Sequence, residues 1–298
     1  MRRTRLVPFA GDVDLAEMKA LLRAAWTAYE PQVEALPGDL DWRLRRYPSE
    51  PEKHIVLCRE GPRLLGFAWR FGGRSEADVV VLRGEAEAAA ALVAWCEAVE
   101  PGAPPATIYA LETNPTLGRA LAERGFVPVD RTYLHFACPL ASGRDPPHWP
   151  SGYRAASVAD LAAGGMADVV AQRAALHRAA FGSPRVTEAA YRHLMAADGY
   201  RSDLDLVAVD QHGVLAAFVL VWHDAALNAG LFEPVGTHPA HRRRGVSRAL
   251  LAEALARLHA LRVSGVTVVA VGDDPITPRL YASVGFGLVG RNVAHRSG

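Results

Sequence analysis

The stretch from Leu231 to Leu261 reads LFEPVGTHPAHRRRGVSRALLAEALARLHAL. An apolar strand runs through a basic, glycine-containing turn into an amphipathic helix. In that helix Val246, Leu250, Leu251, Leu255 and Leu258 stand 4, 1, 4 and 3 residues apart, one apolar stripe suited to lie on a sheet. A helix start carries backbone N–H groups without helical partners and a partial positive charge. Arg242, Arg243 and Arg244 add full charges at that point, and Gly245 lets the backbone approach an anion with no Cβ in the way. The segment predicts a phosphate cradle at the end of a strand. Taken alone, a run of arginines is also what a solvated turn carries.

Working outward, the helix is followed by a strand at Gly265 to Val271 and then by DPITPRLYASVGF, Asp274 to Phe286. The segment NPTLGRALAERGF, Asn114 to Phe126, aligns with it without a gap at an offset of 160 residues. In each copy Asn114 or Asp274 is the expected N-cap, Pro115 or Pro275 the first helical residue, and Gly125 or Gly285 the left-handed stop. Each copy is expected to feed a last pair of strands.

The upstream order matches as well. The first half reads as a strand at Arg5 to Phe9, a helix at Asp14 to Tyr29, strands at His54 to Arg59, Leu64 to Phe71 and Asp78 to Leu82, a helix at Glu85 to Val99, and a strand at Thr107 to Leu111. The second reads as Tyr153 to Ala156, a helix at Val158 to about Ala180, strands at Leu204 to Val209, Val214 to Trp222 and Leu227 to Thr237, and the helix from Arg244 to Leu261. Between the halves, PLASGRDPPHWPSG from Pro139 to Gly152 holds four prolines and two glycines without a period, which predicts a linker. The expected class is α/β with mixed sheets.

Composition sets the outer limits. The 298 residues are 50% hydrophobic and 22% charged, which excludes a disordered or disulfide-scaffold chain. A net charge of +1 gives no global field for nucleic acid or anionic lipid. The longest apolar runs, Ala88 to Cys96 and Val214 to Trp222, are nine residues each, too short to span a bilayer. Arg2, Arg3 and Arg5 are followed by Gly11, Asp12 and Asp14 before any apolar signal core develops, so the expected compartment is the cytoplasm. Cys58, Cys96 and Cys138, an odd number in apolar runs, are expected to be reduced core residues. His238 and His241 lack further ligands nearby, and no metal is expected. Serine-hydrolase and P-loop motifs do not occur in the sequence.

The string Arg242-Arg243-Arg244-Gly245-Val246-Ser247, between the strand that ends at Thr237 and the motif LYASVGF, resembles the Q/RxxGxG/A loop of the GNAT superfamily of acyl-CoA-dependent N-acyltransferases. The similarity covers Tyr153 to the C-terminus well. Where the second half has its arginines the first has LRGEAEAAAALVAW, with Glu85 and Glu87 in the turn and first helical residues, and carboxylates there repel a phosphate. The whole therefore resembles a tandem GNAT protein: a degenerate GNAT-like domain at 1–138 without a cofactor site, a linker at 139–152 and a catalytic domain at 153–298. Each domain is expected to be a mixed, mostly antiparallel sheet flanked by helices.

The resemblance implies the site residues. Val235, Gly236 and Thr237 would pair through their backbone with the pantetheine arm of acetyl-CoA, and Pro234 suits a bulge that opens the slot. Arg242 to Ser247, which includes Val246, would hold the pyrophosphate, with Ser247 in place of the usual Gly or Ala. Asp274 stands where the family often has Asn, and its carboxylate is equally a helix cap. Tyr281 matches the tyrosine that protonates the departing thiolate. Its counterpart in the first half is Leu121, which has no hydroxyl. Glu233 is the candidate base, placed with Leu231, Val235 and Thr237 on one strand face by simple alternation. His223, Asp224 and His238 are its reserves, and a base acting through water stays open.

The implied activity is transfer of an acetyl group from acetyl-CoA to a small primary amine. A non-catalytic acyl-CoA-binding sensor or scaffold is the alternative. The first half is expected to serve as scaffold and as one wall of the acceptor pocket, in a monomer or homodimer. Asp198, Asp203 and Asp205 are candidates for attracting a cationic amine.

Overall fold

The computed structural model describes residues 4–45, 54–70, 75–98, 105–140 and 146–298. Arg2, Arg3, Phe71, Val99 and linker residues 141–145 lie outside them. In chain order the first half forms β1 (Arg5–Pro8), α1 (Asp12–Tyr29), α2 (Pro37–Arg45), β2 (Ile55–Glu60), β3 (Arg63–Arg70), β4 (Glu76–Val81), α3 (Ala86–Glu97), β5 (Thr107–Leu111), α4 (Pro115–Glu123) and β6 (Val127–Pro139). The second forms β7 (Tyr153–Ser157), α5 (Val158–Ala163), α6 (Val169–Phe181), α7 (Glu188–Met195), β8 (Asp205–Asp210), β9 (Leu215–Asp224), β10 (Ala229–Thr237), α8 (Val246–Ala260), β11 (Gly265–Val271), α9 (Thr277–Ala282) and β12 (Gly287–Arg296). None of the described helices is long and apolar enough to cross a membrane.

All twelve strands join one sheet, in the order β1-β2-β3-β4-β5-β12-β6-β11-β10-β9-β8-β7. Pairing is antiparallel except for β4 with β5 and β10 with β11. These two parallel pairs are the crossovers through α3 and α8. Each half ends in one long strand rather than the expected pair, and that strand is exchanged. β6 runs along β11 from Tyr133↔Val271 to Pro139↔Gly265. β12 returns to β5, from Asn292↔Leu111 to Arg296↔Thr107. The two exchanged strands pair with each other at the centre. The halves that the sequence divides at 139–152 are therefore interlocked in space.

The sheet is covered on both faces, and β2, β5, β8 and β9 are buried almost continuously along their length. Val246, Leu250, Leu251, Leu255 and Leu258 of α8 form one core with Phe232, Val266, Val268, Tyr281 and Phe286, and the exchanged strand adds Phe136 and Cys138. Each fully buried side chain of this size contributes on the order of 2 kcal/mol relative to exposure. The other half builds the equivalent core from α3, α4 and β2 to β5. All three cysteines are buried in these cores as thiols, none in a disulfide.

Two helical readings are corrected. The helix expected from Val158 to Ala180 is broken into α5 and α6, because Gly164 and Gly165 intervene, Gly165 at φ +78°, and Asp168 takes a left-handed φ of 51°. The helix expected to start at Pro275 begins at Thr277, with Ile276 rather than Asp274 at its N-cap. Asn114, by contrast, caps α4 as read, accepting from the Leu117 amide at 3.4 Å with Pro115 behind it. The short α2 and α7 carry no long apolar period and were not expected from the sequence.

Candidate active site

The basic turn stands at the start of α8. Gly245 occupies the N-cap in the left-handed region, φ +79°, and a Cβ there would meet only Pro150 at 3.7 Å, so conformation rather than space demands glycine. The first helical bond runs from Ala249 N to Gly245 O at 3.1 Å, which leaves the amides of Val246, Ser247 and Arg248 outside the ladder. Arg243 is also left-handed at φ 61°. The three arginines divide their labour. Arg242 donates to the carbonyls of Thr237 at 3.2 Å and Ala180 at 2.7 Å, strapping the turn to the end of α6. Arg244 reaches the Tyr153 hydroxyl at 3.3 Å, and that hydroxyl is 2.9 Å from His241 Nδ1. Arg243 is exposed. The Ser247 hydroxyl is hydrogen-bonded to that of Thr237, and Val246 is sunk in the core. A cavity of about 890 Å³ opens beside this turn, between α8 and the linker prolines.

The strand leading to the turn splits from its neighbour. β10 pairs with β11 only from Ala229↔Gly265 to Phe232↔Val268. Against β9 the register shifts between Phe232 and Val235, a bulge at Glu233 and Pro234. Beyond it Val235, Gly236 and Thr237 stay paired with Val219, Phe218 and Ala217, while their other edge faces the widening gap. The bulge also reverses the alternation. Leu231 belongs to the core under α6, whereas Val235 packs on the α8 core, so these residues do not share a face as simple alternation had it. Gly236 admits no Cβ, which would lie 2.5 Å from Phe218.

A second cavity, of about 420 Å³, lies where the strands part, and both Glu233 and Tyr281 line it. Tyr281 is 3% exposed, with its ring 5.7 Å from Phe136 and 5.8 Å from Phe286. Burial, then the charges of Glu233 and Asp274, push its phenol above the ordinary value, so it keeps its proton. The Glu233 carbonyl accepts from Trp222 Nε1 at 2.7 Å. Asp274 accepts from the Ile276 amide at 2.9 Å and from the Thr277 hydroxyl, so its carboxylate is turned into its own loop just ahead of α9.

Much of this cavity comes from the first half. Asp39 and Arg43 of α2, Asp78 of β4, Tyr109 of β5 and Tyr133 and His135 of the exchanged β6 all line it. Arg43 is ion-paired with Asp78. Burial opposes its charge, but Asp78, Asp39 and Glu233 more than offset that and hold the guanidinium protonated. His135 is lowered to about 4 by burial and then by the Arg43 charge, against a contact with Asn292, and is neutral near pH 7. These residues escaped the sequence reading. The only signal was a polar residue inside an apolar strand, as with Asp78 before VVV and His135 in YLHFAC.

The remaining candidates lie elsewhere. Asp205 is fully buried and paired with Arg173 at 3.0 Å, Asp203 pairs with Arg201, and Asp198, His223 and Asp224 line a different cavity by α1. His238 accepts from the Ala240 amide within its own turn.

Residues 167–289 match the family model of the acetyltransferase (GNAT) domain. A tandem GNAT protein from the clavulanic acid biosynthesis pathway superposes with a TM-score of 0.70 at 18% identity, covering 99% of both chains. A GCN5-related N-acetyltransferase from Sphaerobacter thermophilus gives 0.66 at 22% identity, over 98% of this chain and 95% of that one. A GNAT-family acetyltransferase from Colwellia psychrerythraea gives 0.61 at 10% identity, over 98% of each. A search of curated proteins finds no match.

This chain has a tandem GNAT fold. At these identities the structural likeness is one of fold, over the whole length. The GNAT family model covers α6 to β12 and none of the first half, the same half that lacks the basic turn.

Proposed function

We propose that the protein is an acyl-CoA-dependent N-acetyltransferase that moves an acetyl group from acetyl-CoA to a small primary amine, with its active site in the second half. The observation that carries this reading is the coincidence of three features. They are an open helix start with amides outside the helical ladder among arginines, a strand edge freed by the bulge at Glu233 and Pro234, and a protonated, buried tyrosine where that edge meets the acceptor cavity.

The turn fits a diphosphate on its own geometry. The amides of 246–248 and the charges of Arg243, Arg244 and Arg248 supply donors, and the cavity beside α8 offers room for the nucleotide end. The freed edge of Val235 to Thr237 offers backbone donors and acceptors to an extended amide-bearing arm. Arg242 serves this site indirectly, by fixing the turn. Bound acetyl-CoA supplies the thioester carbonyl that the amine nitrogen attacks. Glu233 is assigned to take the proton the amine loses, and its carboxylate lies in the field of Arg43. Tyr281 is assigned to donate a proton to the sulfur as the C–S bond breaks, and backbone N–H groups near Val235 to oppose the charge that builds on the carbonyl oxygen.

The test is release of free thiol from acetyl-CoA over a panel of amines, alongside calorimetry with acetyl-CoA alone. Saturable binding and amine-dependent thiol release are expected. Absence of acetyl-CoA binding removes the reading, and binding without release to any amine leaves only a cofactor-binding module.

A further inference from the structure

The acceptor cavity runs along the sheet. Its lining takes residues from six consecutive strands: Asp78 of β4, Tyr109 of β5, Asn292 of β12, His135 of β6, Val269 of β11 and Glu233 of β10. Arg43, ion-paired with Asp78 and charge-coupled to Glu233, brings the two ends within reach of one small ligand. The cavity is thus a trough, with the acetyl-transfer residues at one end and the first half's residues at the other.

Its charge is one-sided. Glu34, Asp39, Glu76, Asp78, Glu233 and Asp274 line it, against Arg43 as the one lining guanidinium among the described residues. Arg43 is committed to Asp78, and the exposed Arg131 pairs with Glu76 at 2.8 Å. Burial raises Glu34 and so reduces its share, yet the carboxylates still outnumber the cations. A second and independent observation points the same way. His135 is 8% exposed and touches Asn292, and among the described residues neither its Nε2 nor the Asn292 Oδ1 has a further hydrogen-bond partner. The Asn292 Oδ1 can only accept, so an N–H donor from a ligand removes its cost, and the Nε2 of His135 accepts as well in the Nδ1–H tautomer. Tyr109 and Tyr133, with ring centroids 4.9 Å apart, add aromatic faces that favour a cation over an anion.

We propose that the acceptor is a small linear amine carrying at least two positive charges, with one amino group at Glu233 and Tyr281 and a second ammonium held by Asp39, Glu76 and Asp78 of the first half. This rests on the acetyltransferase reading above. The strand exchange gives the degenerate half a task of its own: it measures the acceptor's charge and length.

The experiment compares 1,4-diaminobutane and spermidine with butylamine and γ-aminobutyrate, by thiol release and by calorimetry on the full chain with CoA. We expect kcat/KM for the polycations at least tenfold above butylamine, with the ratio shrinking as salt rises. Asp39→Asn and Glu76→Gln should each lower that ratio at least threefold, chiefly through KM. The partly exposed Glu76→Gln serves if the other variant fails to fold. Equal use of butylamine or γ-aminobutyrate, with no diamine binding, overturns the proposal and leaves acetyl transfer standing. Diamine binding that the variants weaken, without thiol release from any amine, upholds the cation site and defeats acetyl transfer. Neither binding nor release defeats both.

Discussion

The two halves share a strand, a turn and a helix in the same order, and their turns behave in opposite ways. At the start of α8 the amides of 246–248 stand clear, and the one hydroxyl nearby, that of Ser247, is turned back to Thr237. At the start of α3 the Gly84 amide already donates to the Thr116 hydroxyl at 2.8 Å. Glu85 is the N-cap there and pairs with Arg63, while Arg83 is drawn away onto the Tyr29 ring at 4.0 Å. The gap beside the strand differs too. Asn114 donates to the Val81 carbonyl at 3.2 Å and to Glu34, filling the place where β4 and β5 part, whereas Asp274 folds into its own loop and leaves the gap clear. On the proposed reading, a shared fold does not carry a shared site. Occupied amides and a side chain in the gap set one copy apart, even before charge is considered.

The largest effect should come from separating the copies. A chain of residues 146–298 alone lacks β6, leaving the seven-residue edge of β11 unpaired and removing Phe136 and Cys138 from the α8 core. We expect it to be insoluble or loosely packed by near-UV circular dichroism, without acetyl-CoA binding, and co-expression with 1–140 to restore both. A folded, monomeric 146–298 with full acetyl-CoA affinity would show that the exchange is dispensable.

Next is the aligned pair Tyr281 and Leu121. Tyr281→Phe removes a hydroxyl from a buried ring and should lower kcat by about 10²-fold or more, the range of a lost general acid, with the acetyl-CoA dissociation constant nearly unchanged. Leu121→Ala, at a fully buried position, should instead cost about 2–5 kcal/mol of stability by chemical denaturation and leave kcat within a few-fold. A kcat loss confined to Leu121→Ala would reverse the assignment of the copies.

What the sequence made legible divides along the same line. β5 and β11 were read to the residue, because their apolar runs end at clear turn chemistry, and α8 was read from its stripe. The exchange was hidden, since the alternation on β6 and β12 is satisfied equally by either neighbour. Of the proposed site, the sequence gives the basic turn alone, where backbone geometry imposes Gly245. On the acceptor side Arg43, Asp78 and His135 belong to a half whose own turn is disarmed, and no local pattern tells that they face the other half's strand. The bulge was visible in Pro234, but its effect on which face Val235 takes was not.

The turns can be tested against each other at about the tenfold level. Arg244→Glu should weaken acetyl-CoA binding by roughly tenfold at low salt, with the difference narrowing as ionic strength rises. The mirror change, Glu85→Arg with Glu87→Arg, should create no second site by calorimetry, because the Gly84 amide stays occupied by Thr116. A stoichiometry of two in that variant would mean that charge alone, and not amide geometry, separates the copies.

The last comparison sets His135 beside His295, which stand 160 residues apart on the two exchanged strands. His135 is opposite Val269 at the seam, enclosed by Arg43 and Asn292, whereas His295 is half-buried opposite Ile108 with its Nδ1 2.9 Å from the Val293 carbonyl. Unfolded, a histidine takes its proton near pH 6.5, but folded His135 resists until about 4. Between those values the unfolded chain binds the extra proton, so stability rises with pH through that window and is lost as pH falls through it. The full span amounts to about 3 kcal/mol. Urea midpoints at pH 7 and pH 5 should therefore differ less in His135→Gln than in wild type. An unchanged difference in His135→Gln would mean that the seam has no special place in the acid response, and that burial beside Arg43 does not hold His135 neutral.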